Sequence, residues 1–208
     1  MERSTLALVV HDLKNALGHL EAQLERLQRE PTPDGAHQAH AHCAELRNRF
    51  VQYLTLYGRD GPLEARLQDE SPLAVLEHLR RDAVRWRDAA ARASIQLVVL
   101  DDGNAPAFCF IDEHLVRLAL DAALHNALRF ARSRVSLHAR AEGRGVCFVV
   151  DDDGPGLGPQ DATTARSTGL GTALCEAVAR AHRSGAEAGQ VRLSNRPDGG
   201  ARFELFLP

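Results

Sequence analysis

The sequence predicts an α+β protein in which a helical hairpin precedes an α/β sandwich with a mixed sheet. Within the first 57 residues, apolar side chains recur with gaps that alternate between four and three, the heptad pattern of helices packed along a seam. After residue 62, helical patterns are mixed with short strands, several of which follow one another directly. The hydrophobic fraction of 44% and the charged fraction of 25% are typical of a globular protein.

The first predicted helix carries an apolar seam and, beside it, an exposed histidine. The seam consists of Leu6, Val10, Leu13, Leu17, Leu20, Leu24 and Leu27. Because Val10 and Leu13 lie on the seam, His11 falls just outside it, and Asn15 lies one turn further along the same outward face. Asp12 adds a carboxylate next to the histidine. This arrangement suits a histidine that reacts with a group arriving from outside.

A second helix is predicted beyond the turn at residues 31–35, which ends the first helix at about Glu30. Its apolar residues again alternate four and three: Ala39, Cys43, Leu46, Phe50, Tyr53 and Tyr57. Two long helices joined by a short turn form an antiparallel hairpin, and a narrow seam on a single hairpin leaves little to bury it. We therefore predict that two hairpins pack as a four-helix bundle, which makes the protein a homodimer through residues 1–58.

The second domain is predicted to occupy residues 62–208, after a glycine- and proline-containing linker. Helices are predicted over residues 72–93, 112–131 and 171–182. Strands are predicted over residues 95–100, 108–111, 134–141, 145–150, 190–194 and 201–207. Between residues 158 and 168 no residue is strongly apolar, so we predict a mobile lid there.

Two glycine motifs point to nucleotide chemistry. Asp152 opens the sequence DDGPGLG directly after an apolar strand, and a carboxylate at a strand end can accept a hydrogen bond from an adenine amino group. Gly154 and Gly156 allow the backbone to approach a base or a phosphate closely. Gly169 and Gly171 stand at a predicted helix N-terminus, where free N–H groups and the helix dipole favour phosphate.

A helix between these regions carries a candidate metal ligand. The amide oxygen of Asn126 can ligate Mg²⁺, a hard cation that keeps several waters and bridges to phosphates. Arg129 and Arg132 could neutralise phosphate charge nearby. Because the chain has no GxxxxGK[ST] sequence, a P-loop is excluded as the phosphate-binding device.

Composition excludes several other classes of partner. The net charge of −3 and the lack of a basic stripe argue against nucleic-acid binding. No run of about 18 apolar residues exists, so we expect no membrane-spanning segment. The four cysteines form no CxxC pair and are expected to be reduced thiols, which indicates a cytoplasmic protein.

Taken in order, these motifs resemble those of the sensor histidine kinase family. The order is a histidine-bearing helix, a helical hairpin, an asparagine helix, DxGxG, a GxG helix and a terminal GGxxFxLxLP strand. Residues 1–58 resemble the family's dimerisation and histidine-phosphotransfer hairpin. Residues 62–208 resemble its catalytic ATP-binding domain of the GHKL (Bergerat-like) type. The resemblance implies a cytoplasmic dimer that uses ATP and Mg²⁺ and passes phosphate to the receiver domain of a response regulator.

The resemblance also implies a role for each candidate residue. His11 matches the phospho-accepting histidine, Asp12 the acidic neighbour that takes its proton, and Asn15 a position that in some members orients water for response-regulator dephosphorylation. Asn126 matches the Mg²⁺ ligand, and Asp152 the carboxylate that binds adenine. The glycine boxes are matched by Gly154, Gly156, Gly169 and Gly171, and Arg129 belongs to the same nucleotide site.

Several positions depart from the family pattern. Ala122 stands where the family usually has a polar residue four positions before the Mg²⁺ ligand, and Asp121 points about 100° away on a helix. Ala16 replaces a common proline, and the lid is short with no phenylalanine. His11 lies almost at the N-terminus, so we expect a sensor-less, partly degenerate member of the family.

These departures leave three functions open. The first is an ATP-dependent histidine kinase that phosphorylates itself on His11 and then transfers the phosphate to a response regulator. The second is a histidine phosphotransfer protein, or a response-regulator phosphatase, with a degenerate ATP site. The third is a non-catalytic dimeric scaffold that regulates another kinase.

Overall fold

The protein consists of an N-terminal helical hairpin followed by an α/β sandwich, as predicted. The computed structural model describes residues 3–58, 61–87, 95–158 and 169–208, and the side chains of all of these except 3–10, 12 and 84–87. Its helices are α1 (Arg3–Arg29), α2 (Pro33–Tyr57), α3 (Pro72–Arg87), α4 (Glu113–Phe130) and α5 (Leu170–Ala181). Its strands are β1 (Gln68–Glu70), β2 (Gln96–Val99), β3 (Cys109–Ile111), β4 (Arg134–Glu142), β5 (Gly145–Asp152), β6 (Arg183–Ser184), β7 (Glu187–Ala188), β8 (Gln190–Asn195) and β9 (Ala201–Leu207).

The turn between α1 and α2 is shorter than the sequence suggested. Thr32 caps α2, because its hydroxyl oxygen accepts a hydrogen bond from the backbone N–H of Gly35 at 3.1 Å. Pro33 occupies the start of the helix, where its missing N–H costs nothing. The predicted turn cluster is therefore split, and its second half forms the first turn of α2.

One hairpin buries only part of the predicted seam. Its own core contains Leu13, Leu20, Ala39 and Leu46. Leu17 and Leu24 belong to the same seam but are 47% and 45% exposed, and Phe50 and Leu54 on α2 are 46% and 57% exposed. An apolar stripe therefore remains on the outside of the hairpin.

The sandwich is built on a five-stranded sheet in the order β2-β4-β5-β9-β8. β2 pairs with β4 in parallel, and the other neighbours are antiparallel, which confirms the predicted mixed, largely antiparallel sheet. Alternate residues of β4, β5 and β9 face a single core shared with α3, α4 and α5. Among its fully buried members are Leu120, Leu128, Leu137, Phe148, Leu174 and Leu205.

Three short strands were not predicted from the sequence. β1 pairs with β3, and β6 pairs with β7. β1, β6 and β7 have only two or three residues and no apolar run, so hydrophobic periodicity does not reveal them. The predicted end of α3 and the predicted lid fall on residues 88–94 and 159–168, outside the described residues. No helix in the described part of the chain is both long enough and apolar enough to cross a membrane.

Candidate nucleotide site and histidine helix

Asp152 is the last residue of β5, two residues beyond the predicted end of that strand. The Oδ1 atom of Asp152 accepts hydrogen bonds from the backbone N–H groups of Gly154 at 2.7 Å and Ala201 at 3.2 Å. These bonds fix a carboxylate that is only 7% exposed. Within the described residues no hydrogen bond reaches Oδ2, so this second oxygen is available to a ligand.

A cavity of about 240 Å³ opens in front of Asp152, between α4, α5 and the strands β5, β9 and β8. Apolar side chains, including Ala127, Val150 and Phe203, form its walls. Its polar lining includes Asn126, Arg129 and Thr172 in addition to Asp152. An apolar slot with a few fixed polar groups fits a planar base joined to a charged group.

The glycines after Asp152 are required by close backbone packing. A Cβ atom at Gly154 would lie 2.5 Å from the carbonyl oxygen of Phe130. Gly156 has a φ of +82°, and a Cβ atom there would lie 2.7 Å from Oδ1 of Asn195. The Asn195 amide accepts from the N–H of Leu157 and donates to its carbonyl oxygen at 3.3 Å. Asn195 therefore holds the loop that borders the cavity, a role the sequence did not suggest.

Asp153 has a structural rather than a ligand-facing role. Its carboxylate accepts hydrogen bonds from the backbone N–H groups of Arg132 at 2.8 Å and Ser133 at 3.0 Å, and from the Ser133 hydroxyl. Slight burial opposes ionisation, but these donors outweigh it and hold the pKa of Asp153 well below its usual range. Asp153 thus ties the loop between α4 and β4 to the end of β5.

A second cavity, of about 90 Å³, lies between α2, α4 and α5. Its lining includes Asn126, Arg129 and Thr172, which also line the larger cavity, so the two spaces adjoin. Gly171 and Ala122 border it, and a Cβ atom at Gly171 would lie 3.7 Å from the Ala122 Cβ, an ordinary contact. The small size of these two residues keeps the junction open.

Asp121 borders this second cavity, although its position on the helix predicted a side chain turned away from Asn126. The Asn48 amide donates a hydrogen bond of 3.4 Å to Oδ2 of Asp121. Burial, and then repulsion from Asp82, raise the pKa of Asp121 to about 6 despite nearby arginines. Helix α2 supplies the extra wall that makes the cavity wide enough to include Asp121.

The N-terminus of α5 adjoins both cavities. Gly169 is its N-cap residue and has a φ of +66°, a conformation that favours glycine. Thr172, in the first turn, lines both spaces. Free N–H groups and the helix dipole make such an end favourable for an anion.

His11 is exposed on α1, as the seam predicts. In the structure the Asn15 Nδ2 atom lies 3.2 Å from the His11 Nδ1 atom. This contact places the imidazole proton on Nε2, whereas a half-turn of the amide puts Oδ1 there to accept a proton from Nδ1. The side chain of Asp12 lies outside the described residues.

The structure brings five of the ten predicted site residues together around the two cavities. Asn126, Arg129, Asp152 and Gly156 line the larger cavity, and Gly171 lines the adjoining one. His11 and Asn15 lie on the hairpin and do not line either cavity. Sequence reasoning missed Thr172 and the residues that α2 contributes, since neither a motif nor a period marks them.

Comparison with known families agrees with this geometry. Residues 111–208 match the family of histidine kinase-, DNA gyrase B- and HSP90-like ATPases. Sensor protein KdpD of Escherichia coli K12 is 26% identical over 228 residues, covering 100% of this chain and 24% of KdpD. Sensor histidine kinase component HK1 of Mycobacterium tuberculosis H37Rv is 30% identical over 145 residues, covering 64% of this chain and 77% of HK1. The chain spans about a quarter of the length of KdpD.

Solved structures show the same architecture. Histidine kinase AdeS of Acinetobacter baumannii superposes with a TM-score of 0.64 at 16% identity, covering 95% of this chain and 96% of AdeS. The ATP-binding domain of PrrB from Mycobacterium tuberculosis gives a TM-score of 0.52 at 28% identity, covering 68% of this chain and 96% of that domain.

The chain consists of a helical hairpin joined to an ATPase domain of the GHKL type, with the candidate nucleotide cavity at the end of β5. The chain belongs to the sensor histidine kinase family.

Proposed function

We propose that this protein binds ATP with Mg²⁺ between α4, α5 and the sheet, phosphorylates itself on His11, and transfers the phosphate to an aspartate of a response regulator. The observation that carries the proposal is the cavity that joins Asp152 to Asn126 and Arg129. Its apolar walls suit a purine, and its polar lining suits phosphates and a metal ion.

Each polar group would hold a different part of the nucleotide. Asp152 would accept the adenine amino group through Oδ2, because Oδ1 is already occupied by two backbone donors. Arg129 and the N-terminus of α5 would face the phosphates. Two such contacts at opposite ends of the molecule favour ATP over a smaller anion.

Asn126 fits a magnesium ion that is held mainly by the substrate. Within the described residues, no group of three His, Cys, Asp or Glu side chains is placed to hold a metal. Mg²⁺ needs only one or two protein oxygens, since phosphates and waters complete its octahedron. A bound Mg²⁺ would neutralise the charge of the phosphates during transfer.

His11 would attack the terminal phosphorus through the lone pair of Nε2. The Nε2–P bond forms as the bond to the bridging oxygen breaks, and ADP leaves. This tautomer requires a half-turn of the Asn15 amide from the orientation in the structure, in which Nδ2 faces Nδ1, so that Oδ1 accepts the Nδ1 proton. Asp12, the next residue along α1, would take that proton as the imidazole becomes positively charged.

The exposed apolar stripe of the hairpin supports dimerisation. Leu17, Leu24, Phe50 and Leu54 expose large apolar surfaces in one chain. A second hairpin would cover them in a four-helix bundle. Residues 1–58 would then serve as the dimerisation and phosphotransfer domain, and residues 62–208 as the ATP-binding domain.

A second candidate is a phosphotransfer protein or response-regulator phosphatase that does not use ATP. It is favoured by Ala122, which is buried beside Gly171 and offers no polar group to the metal. Asn15 beside His11 would then orient a water molecule on the partner's phosphoryl group. Failure of the protein to bind ATP with Mg²⁺ would leave this candidate standing and remove the first.

The decisive experiment is incubation of the purified protein with ATP labelled at the terminal phosphate, in the presence of Mg²⁺. We expect label that is acid-labile and alkali-stable, as for phosphohistidine, and its loss in His11→Gln and Asn126→Ala. His19→Gln is the matched control, because His19 is another exposed histidine of α1. Unlabelled wild type would contradict the kinase proposal, and retained signalling by His11→Ala would favour a scaffold.

A further inference from the structure

Helix α2 of the hairpin forms one wall of the space next to the nucleotide cavity. Four α2 side chains line the smaller cavity: Glu45, Asn48, Arg49 and Gln52. The opposite wall belongs to α4 and α5 of the ATP-binding domain. Leu56, near the end of α2, also packs against the core of that domain. The hairpin is thus in direct contact with the ATP-binding domain at this point.

The position of the smaller cavity indicates which part of a nucleotide reaches it. Asp152 lines the larger cavity but not the smaller one, while Asn126, Arg129 and Thr172 line both. A base held by Asp152 therefore leaves its phosphates at the junction. The terminal phosphate, furthest from the base, is the part that extends toward α2.

We propose that Arg49 of α2 binds the terminal phosphate of ATP, so that the hairpin completes the nucleotide site. The proposal rests on ATP binding in the larger cavity, as proposed above. Arg49 is the cation that α2 contributes among the described lining residues. Its guanidinium lies 2.7 Å from Glu45, its neighbour one turn earlier, and its side chain is 29% exposed.

Arg49 can take up a phosphate without losing its present partner. A guanidinium has five N–H donors in a planar fork, and the Glu45 contact uses only part of them. The neutral amides of Asn48 and Gln52 stand beside it and can donate further hydrogen bonds. A fork next to two amides suits the three oxygens of a terminal phosphate.

The acidic groups of the cavity do not prevent this. Burial raises the pKa of Asp121 to about 6, so protonation of this carboxyl near neutral pH needs little free energy. Arg49 lies next to Glu45, and Arg129 faces the same space. Entry of the phosphate would therefore meet two guanidiniums and two carboxyl groups, of which Glu45 already pairs with Arg49 and Asp121 is readily protonated.

The consequence is a site that distinguishes ATP from ADP through the hairpin. ADP lacks the group that reaches α2, so it would bind without engaging Arg49. ATP would tie α2 to α4 and α5, and loss of the terminal phosphate would release that tie. Nucleotide state and hairpin docking would then be coupled, each altering the other by the same factor.

The test compares the affinities of a non-hydrolysable ATP analogue and of ADP, by calorimetry in Mg²⁺, on the full chain. We expect Arg49→Ala to weaken analogue binding by about tenfold and ADP binding by less than about twofold. Arg29→Ala is the matched control, since Arg29 also pairs with a glutamate one turn earlier on the hairpin. Arg29→Ala should leave both affinities unchanged.

The outcomes separate the two proposals. If the wild type binds both nucleotides and Arg49→Ala binds each of them as tightly as the wild type does, or weakens both by the same factor, the role of Arg49 is wrong and ATP binding stands. If the wild type binds neither nucleotide, both proposals are wrong. Arg49→Lys keeps the charge but not the planar fork, so it should retain part of the preference for the analogue. It also provides a second variant to measure if Arg49→Ala does not fold.

Discussion

Two adjacent carboxylates at the end of β5 have different surroundings and therefore different roles. Asp152 keeps one oxygen available to the cavity, whereas both oxygens of Asp153 accept hydrogen bonds from the loop between α4 and β4. Asp153 should stabilise the fold above its unfolded pKa, and that contribution should be lost as pH falls, because its folded pKa is lowered. Variants of these two residues can therefore distinguish a side chain that contacts the ligand from one that supports the fold.

We predict that Asp152→Asn weakens ATP binding by about 10- to 100-fold with little change in melting temperature. An amide at this position can still accept from Gly154, but its NH₂ group would face the adenine amino group, donor against donor. Asp153→Asn should instead lower the melting temperature and keep the affinity. Calorimetry and thermal unfolding of both variants check this, and the reverse pattern would refute the assignment.

At the residue scale, motifs predicted the candidate ligands but not their supports. Asp152 and Asn126 could be predicted from the sequence, because a carboxylate at the end of a strand can bind an adenine amino group and an amide on a helix can bind Mg²⁺. Asn195 and Arg49 carry no local pattern, since they reach the site only when β8 and α2 are placed beside it. Such contacts depend on tertiary packing, which local sequence patterns do not reveal.

At the scale of elements, a buried histidine links the end of α5 to the start of α4. The His182 Nε2 atom accepts from the backbone N–H of Asp112 at 3.0 Å, and its Nδ1 atom lies 2.8 Å from the carbonyl oxygen of Val178. This pairing requires a neutral ring, with its proton on Nδ1. Burial lowers the pKa of His182, although the nearby Asp112 opposes the shift.

We predict that the protein loses stability as pH falls below about 6.5. The pKa of His182 is lower in the folded than in the unfolded protein, so below that pH the unfolded state binds a proton that the folded state does not. Thermal unfolding at pH 5.5 and 7.5 measures the loss. His182→Leu should be less stable by about 2 kcal/mol at pH 7.5 and should show a smaller difference between the two pH values. His19→Gln should behave as wild type, and an unchanged pH difference in His182→Leu would contradict the prediction.

Elements with clear periodicity and the apolar run of β3 were predicted within a few residues, whereas the short strands β1, β6 and β7 were not. α4 and α5 were expected from their apolar faces and begin within one residue of the predicted positions. β5 continues past its predicted end at Val150. Asp151 can remain in the strand, although it is buried, because both of its carboxylate oxygens accept hydrogen bonds from Arg202. Periodicity cannot anticipate a buried charge that is neutralised by a neighbouring strand.

At the scale of the whole molecule, the apolar stripe of the hairpin is the surface through which we expect the protein to dimerise. Leu17 and Leu24 alternate along the seam with the buried Leu13 and Leu20. The seam therefore has two faces: one packs against α2 of the same chain, and the other is exposed, as the proposed dimer requires. The sequence showed the seam, but only the structure separates these faces.

We predict that the double variant Leu17→Asp, Leu24→Asp is monomeric where the wild type is dimeric. Placing two carboxylates in a bundle core costs several kcal/mol, enough to raise the dissociation constant by at least about 100-fold. Analytical ultracentrifugation measures the change. Phe108→Asp is the control, since Phe108 is 68% exposed on the ATP-binding domain. A monomeric wild type, or a dimeric double variant, would show that the stripe is not the interface.

The central claim is that the cavity at Asp152 supplies phosphate to His11. The most direct measurement is mass spectrometry at neutral pH of peptides from protein incubated with ATP and Mg²⁺, which locates any phosphoryl group on α1. The account predicts a single phosphohistidine, at His11. When wild-type and Asp152→Asn proteins are compared at one low ATP concentration, the variant should carry no phosphohistidine. Phosphate on another residue, or none on wild-type protein that binds ATP, would contradict it.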